Sequence, residues 1–306
     1  MKKIGLFIMF CVLAMMSAQA QTQELNIYRG TNLSQIDGKE DDAVWSKVPK
    51  VPITRPFNDE QATVDAFFKM FYTDDYLYVY IDVTDDVHNP VWAGKADNEK
   101  VQDVQHLYDK VELYFDINDI LKDGKSPAYI NGHMDPGHYQ LAPYFEEDGY
   151  DSPYLLSGLL YGAMSDQAMV CYTLKDDYTS YSMEYEIPLN SFVNDKGESM
   201  SKEKFIALPN GMGFDVTVVD NDADGKGRKR VVWCSDKQEA YYNMDNCGVV
   251  HFIDKSVDDF VTGVSNIRYN GEHSDKIYTL EGVEMKQGEK LHSGIYIKDG
   301  KKIIIR

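Results

Sequence analysis

The residues best equipped for chemistry here are carboxylates and tyrosines that alternate along short apolar runs. In Tyr76 to Val83, one strand face would carry Leu77, Val79, Ile81 and Val83, the other Tyr76, Tyr78, Tyr80 and Asp82. In Lys110 to Asn118, Val111, Leu113 and Phe115 oppose Glu112, Tyr114 and Asp116, and Glu184 and Glu186 extend the pattern. Aromatic rings stack on the C–H faces of sugars while carboxylates accept hydrogen bonds from hydroxyls, so such a face could bind carbohydrate. The alternative is a solvated outer face. A carboxylate pair held about 5–10 Å apart could instead hydrolyse a glycosidic bond, a separation that sequence does not define.

Other candidates are local. Asp220-Asn221-Asp222-Ala223-Asp224-Gly225 copies the start of a calcium loop, which nominates Asp220, Asp222 and Asp224 as ligands. Position twelve is Val231 rather than the bidentate Glu, so the competing reading is a hairpin turn. His133 and His138 lie near Asp135 in a polar turn, where a metal or plain solvation are both open. Cys234 and Cys247 flank a polar loop and could close it as a disulfide in an oxidising compartment; otherwise they are two free thiols. Cys171 reads as a small core residue. There is no Gly-x-Ser-x-Gly elbow, no His-Glu-x-x-His motif and no phosphate-cradling glycine loop.

The elements that must position these residues are strands. Val64–Tyr72 and Tyr76–Val83 flank the turn Thr73-Asp74-Asp75 as a hairpin, and further strands are predicted at 138–145, 168–174, 181–187, 213–220, 228–233 and 248–253. Only 190–194 reads as a helical turn. The expectation is an all-β, two-sheet antiparallel β-sandwich, jelly-roll-like, over residues 21–256. With 50 acidic against 31 basic residues and a formal charge of -19, nucleic acid is excluded as a natural partner.

Lys2 and Lys3, the apolar run Ile4–Met16 and Ala18-Gln19-Ala20 form a three-part secretory signal, cleaved after Ala20. The run is too short to span a bilayer, and no other stretch approaches that length. The protein is therefore expected to be secreted or held at the cell surface. Residues 257–306 form a separate β-rich module: 264–306 hold 8 Lys/Arg and 6 Asp/Glu, against a strongly acidic body.

Four stretches together resemble a family 9 carbohydrate-binding module. They are Ile36-Asp37-Gly38 with Trp45, the hairpin containing Tyr76-Leu77-Tyr78-Val79, the motif Asp109-Lys110-Val111-Glu112-Leu113-Tyr114-Phe115-Asp116, and the closing runs 213–220, 233–236 and 248–252. The resemblance implies a non-catalytic protein that grips oligo- or polysaccharide between two aromatic walls. It places the hydrogen-bonding Glu on Glu112, a strand-end Asp on Asp220 and one aromatic wall on Tyr241. The second wall falls on His106 and the family's Arg near Gln140, two departures; Trp92 could replace the missing wall or simply anchor its loop. Structural calcium is compatible with the same fold. The tail, through Ile277-Tyr278-Thr279-Leu280-Glu281-Gly282-Val283 and Gly294-Ile295-Tyr296-Ile297, resembles the sorting tail of Bacteroidota secreted proteins, whose partner is a type IX-like secretion machinery. The rival functions are a diverged glycoside hydrolase, a haem-binding sandwich using Met70 or Met183, and an adhesive surface protein.

Overall fold

A computed structural model describes residues 23–92, 104–128, 134–145 and 168–259, together with strand residues 277–279, 294–298 and 301–305. The signal segment 1–20, His133 and most of the 89–105 insertion lie outside the described residues. In chain order the strands are β1 (Glu24–Arg29), β2 (Val51–Ile53), β3 (Arg55–Pro56), β4 (Asp65–Tyr72), β5 (Tyr76–Thr84), β6 (Lys110–Asp116), β7 (His138–Leu141), β8 (Met169–Leu174) and β9 (Tyr181–Pro188). After helix α1 (Lys202–Ile206) come β10 (Met212–Asp220), β11 (Lys229–Val232) and β12 (Gly248–Ser256), then β13 (Ile277–Thr279), β14 (Gly294–Lys298) and β15 (Lys301–Ile305). No helix among the described residues is long and apolar enough to cross a membrane.

One layer contains β7, β6 and β10, with β11 and β12 along the far edge of β10; the other runs β2, β4, β5, β9, β8. The expected antiparallel sandwich is present with one difference. Strand β1 pairs in parallel with β12 and, at Arg29↔Tyr72, with β4, so the two layers join into one continuous hydrogen-bonded sheet. The aliphatic faces meet as expected: Leu77, Val79, Ile81, Val83, Val111, Leu113, Phe115, Phe214, Val216 and Val218 share the main core. Met70 and Met183 are packed into that core, so neither is placed to ligate haem.

The outer face of β5 departs from both sequence readings. Tyr78 and Tyr80 are buried beneath a short 3-10 turn, Ala43–Lys47, that lays Trp45 over them in a second apolar cluster with Phe71 and Val257. Trp45 meets Phe71 edge-on at 4.8 Å and Tyr80 at 5.7 Å. Glu184 on β9 is completely buried here, accepting from Trp45 Nε1 at 2.8 Å, Asp37 N at 2.9 Å and Gly38 N at 3.3 Å. Gly38 has φ +80 and sits where a Cβ would come within 2.9 Å of Thr173 Oγ1, so the turn needs glycine. Helix α1 was not expected from periodicity; its local signal is Ser201, whose side chain caps Lys204 N.

The expected Cys234–Cys247 disulfide is not present: Cys171, Cys234 and Cys247 are free thiols. Cys234 and Cys247 are both buried, and burial with the nearby Asp215 carboxylate pushes both thiols well up. The thiolate needed to form a disulfide is thereby disfavoured. In the tail, β13, β14 and β15 form a three-stranded antiparallel sheet of their own, in the registers Ile277↔Lys298 and Gly294↔Ile305.

Candidate functional site

Strand β6 is buried along its whole length, and its polar face supplies a cavity floor rather than a solvated surface. Glu112 and Tyr114 project on that face beside Gln140 of β7, which is in register with Tyr114. Tyr114 Oη donates to Glu112 Oε2 at 2.7 Å, and Gln140 Nε2 donates to Tyr114 Oη at 3.2 Å. This chain of bonds fixes the floor. Burial, reinforced by Glu112, holds the Tyr114 phenol well above its usual value, so it stays a neutral donor.

The walls come from three loops. Gln105 and His106 stand in the 3-10 turn just before β6, while Tyr241 and Tyr242 stand in the loop before β12. The tyrosine rings meet edge-to-face at 4.9 Å, and Tyr242 is 54% exposed. Ala240, Met244 and Cys247 pack with Tyr114 and anchor that loop to the floor. Arg228 ties the walls together: Nη1 donates to His106 O at 2.9 Å and Nη2 to Glu239 Oε1 at 3.1 Å. Arg230 also binds Glu239, grips Glu60 with Nη2 at 2.7 Å and Nε at 3.1 Å, and lies 3.8 Å over the Phe57 ring. Behind the wall, Lys110 Nζ donates to Gln105 Oε1 and lies 4.4 Å over Tyr144. Burial brings Lys110 down to about 7, and burial followed by Arg228 lowers His106. The enclosed space is about 300 Å³, open to solvent, the size of one or two sugar rings.

Four of the six expected glycan residues, Glu112, Tyr241, His106 and Gln140, line this one cavity. The other two do not. Asp220 is fully buried at the end of β10, where its Oδ2 accepts from Thr63 N at 2.6 Å. Trp92 packs against the core, meets His88 edge-on at 5.7 Å and does not line the cavity. Sequence reading placed Tyr114 with Glu112 on a polar face that could bind carbohydrate, and missed Gln105, Arg228, Glu239 and Tyr242. A signal for Arg228 existed in the basic island Lys226-Gly227-Arg228-Lys229-Arg230 of an otherwise acidic body.

The linear calcium loop does not assemble. Asp224 pairs with Lys226 at 2.7 Å and belongs to neither of the acidic clusters found among the described residues, Asp85–His88–Asp109 and Asp85–Asp86–Asp222. Asp222 pairs with Lys229. Likewise His138 is buried against Asp116, Nε2 to Oδ2 3.3 Å, rather than held in an open polar turn.

Residues 36–255 match the family described as "Carbohydrate family 9 binding domain-like". Over 216 residues, 70% of this chain, the sequence is 28% identical to "Exoglucanase XynX" of Acetivibrio thermocellus, of whose length the match spans only 16%. A family 9 carbohydrate-binding module from Caldicellulosiruptor kristjanssonii, solved in complex with glucose, superposes with a TM-score of 0.50 at 18% identity, covering 76% of this chain and 97% of that one. A module from the same organism in complex with cellotriose gives 0.46 at 19% identity, covering 78% and 97%. A putative carbohydrate-binding protein from Bacteroides uniformis gives 0.47 at 11% identity, covering 76% and 100%. The chain belongs to the carbohydrate family 9 binding domain-like family.

Proposed function

From that membership we propose that the protein binds a neutral oligo- or polysaccharide in the cavity over β6 and does no chemistry on it. The observation that carries the reading is the cavity itself: an acceptor-rich floor of Glu112, Tyr114 and Gln140 beside the tyrosine ledge of Tyr241 and Tyr242. Sugar hydroxyls donate to such acceptors, and the ledge offers ring faces to C–H groups. Arg228 is committed to Glu239 and to the His106 carbonyl, so its charge is already answered. An anionic sugar would meet Glu112 and Glu239 with no uncommitted cation among the described residues that line the cavity. Glu112 is engaged by Tyr114 and Glu239 by two guanidiniums, which suits positioning acceptors better than a glycosidase acid and base.

Isothermal titration with cello- and xylo-oligosaccharides, and with uronate-bearing counterparts of equal length, tests this. Saturable heat is expected for neutral sugars, at least tenfold weaker binding for the uronates, and no release of reducing ends. Equal or tighter binding of the acidic sugars would overturn the reading. The related solved modules were bound to glucose and to cellotriose, which makes glucose-based sugars the first panel.

We further infer export. The charged, apolar and small-residue parts of 1–20 support removal of a signal after Ala20, and the basic three-stranded tail supports handling by an outer-membrane sorting machinery. Mass spectrometry of the protein made in a native-like host should find Gln21 as the N-terminus outside the cytoplasm; retention of Met1 would refute it.

A further inference from the structure

Lys110 opens β6 on the face that carries Glu112 and Tyr114, yet it is only 2% exposed and lies behind the cavity wall. A buried ammonium is costly, so the groups around it must suit a positive charge. Its Nζ lies 4.4 Å over the Tyr144 ring and donates to Gln105 Oε1. The second contact constrains its partner. An ammonium has three donors and no acceptor, so only the oxygen of a carboxamide can face it. Gln105 therefore turns its oxygen to Lys110 and its NH2 group away, on a residue that lines the cavity. Without that ammonium the two ends of the amide are interchangeable in shape, and either could face a ligand.

Donors are scarce in this cavity. Tyr114 spends its O–H on Glu112, Gln140 turns an N–H to Tyr114 Oη, and Arg228 is committed to Glu239 and the His106 carbonyl. A sugar brings acceptors as well as donors: its ring oxygen, and the lone pairs of each hydroxyl that gives its proton to Glu112. An acceptor-rich floor leaves those lone pairs unanswered, and an unanswered polar group in an enclosed site costs affinity.

On the reading that the cavity holds a glycan, we propose that Gln105 is a specificity-determining residue, donating from Nε2 to a sugar oxygen, and that Lys110 is the positioning residue that holds its amide this way round. The ligand must then place an acceptor at the Gln105 corner of the cavity and donors over Glu112.

The hold depends on a proton. Burial brings Lys110 down to about 7, against the field of Glu112 two residues along the strand. Below that pH the ammonium fixes the amide. Above it the amine gains a lone pair and accepts from Gln105 Nε2, so both orientations are populated. The wall turn brings His106 beside it, which burial and then Arg228 lower from 6.5, so that His106 charges in a more acidic range. Asp109, the preceding residue, is engaged by His88 and Asn221. Across the sheet Lys110 faces Val219 of β10, and beyond it Arg230 of β11 is held by Glu60 and Glu239.

Titration calorimetry of the full chain with cellotriose at about pH 6 and about pH 8.5 tests this. Wild-type binding should weaken by about 2–10-fold across that interval, the loss of a neutral hydrogen bond from part of the population. Lys110→Met should show no such step and should bind at both pH values as the wild type does at the higher one. Gln105→Glu keeps the shape and removes the donor, so it should weaken binding by about tenfold or more at both. Gln105 is half-buried in a turn, so this variant keeps the test open if Lys110→Met does not fold. In the sugar-free protein the Lys110 Cε resonance should titrate near 7. A pH step that survives in Lys110→Met, a Gln105→Glu variant that binds like the wild type, or a Lys110 that titrates near 10.5 would overturn the inference. No heat with cello- or xylo-oligosaccharides at either pH would overturn the glycan reading and the role of Gln105 with it. Saturable binding that ignores both variants removes this inference alone.

Discussion

Replacing Glu112 by alanine should weaken binding of a neutral oligosaccharide by about 10–100-fold, the loss expected for hydrogen bonds to a charged acceptor. The effect should exceed simple removal of one contact. Glu112 Oε2 accepts from Tyr114, which in turn accepts from Gln140, so truncation frees the whole floor to rearrange. Glu112→Gln keeps the size and should fall between wild type and alanine. Titration calorimetry reads both, and an unchanged Kd in Glu112→Ala would remove β6 from the binding site. Tyr241→Ala serves as the companion variant: it takes a ring from the opposite wall, and its loss of affinity should combine with that of Glu112→Ala less than additively, since both groups would touch one ligand.

Trp45→Ala should destabilise the fold by about 3–5 kcal/mol, in the range for emptying a buried large aromatic site. Trp45 has 0% exposure, fills the cluster over Tyr78 and Tyr80, and donates to the buried Glu184. Removing it leaves a carboxylate with one fewer donor in an apolar setting, which adds to the cost of the void. Urea midpoints measure this, and a change below about 1 kcal/mol would show that the 43–47 turn is dispensable. The same unit gives a pH signature. Burial pushes Glu184 up to about 7 from an ordinary 4.5, against the hydrogen bonds from Trp45, Asp37 and Gly38. The folded state thus holds the proton more tightly than the unfolded chain, so this contribution is complete below about 4.5 and is lost as pH rises through about 7. Glu184→Gln should flatten that part of the stability profile.

The strands were readable because a half-buried strand alternates: β5, β6 and β10 carry aliphatic residues at every second position, and these meet in the core. What lay over the opposite faces was not readable. Tyr78 and Glu112 look alike in sequence, each a polar-face residue on an alternating strand, yet Tyr78 lies under Trp45 while Glu112 opens into a cavity. The difference is set by the 43–47 turn and by the 239–247 loop, covers that lie far from the strands they serve. The surroundings of Asp220, Asp222 and Asp224 were unreadable for the same reason. Spacing along the chain left a loop site and a plain hairpin turn open, and it did not show that Lys226 pairs with Asp224 or that Asp222 stands beside Asp85 and Asp86 at the end of another strand. Cys234 and Cys247 have a spacing suited to a bridge, but both stand as buried thiols near Asp215.

Strand β1 has a consequence for how the molecule is made. Residues 24–29 pair with residues of β12 near 250 and touch β4, so the seam between layers needs both ends of the domain at once. Closing a loop of that span is entropically slow, and topologies rich in such long-range pairs fold late. A nascent chain lacking β12 leaves β1 with only its Arg29↔Tyr72 pairing to β4 and cannot complete the sheet. Completion of the two-layer sheet therefore waits for the last sandwich strand to emerge, even though β2, β4, β5, β9 and β8 can pair before it.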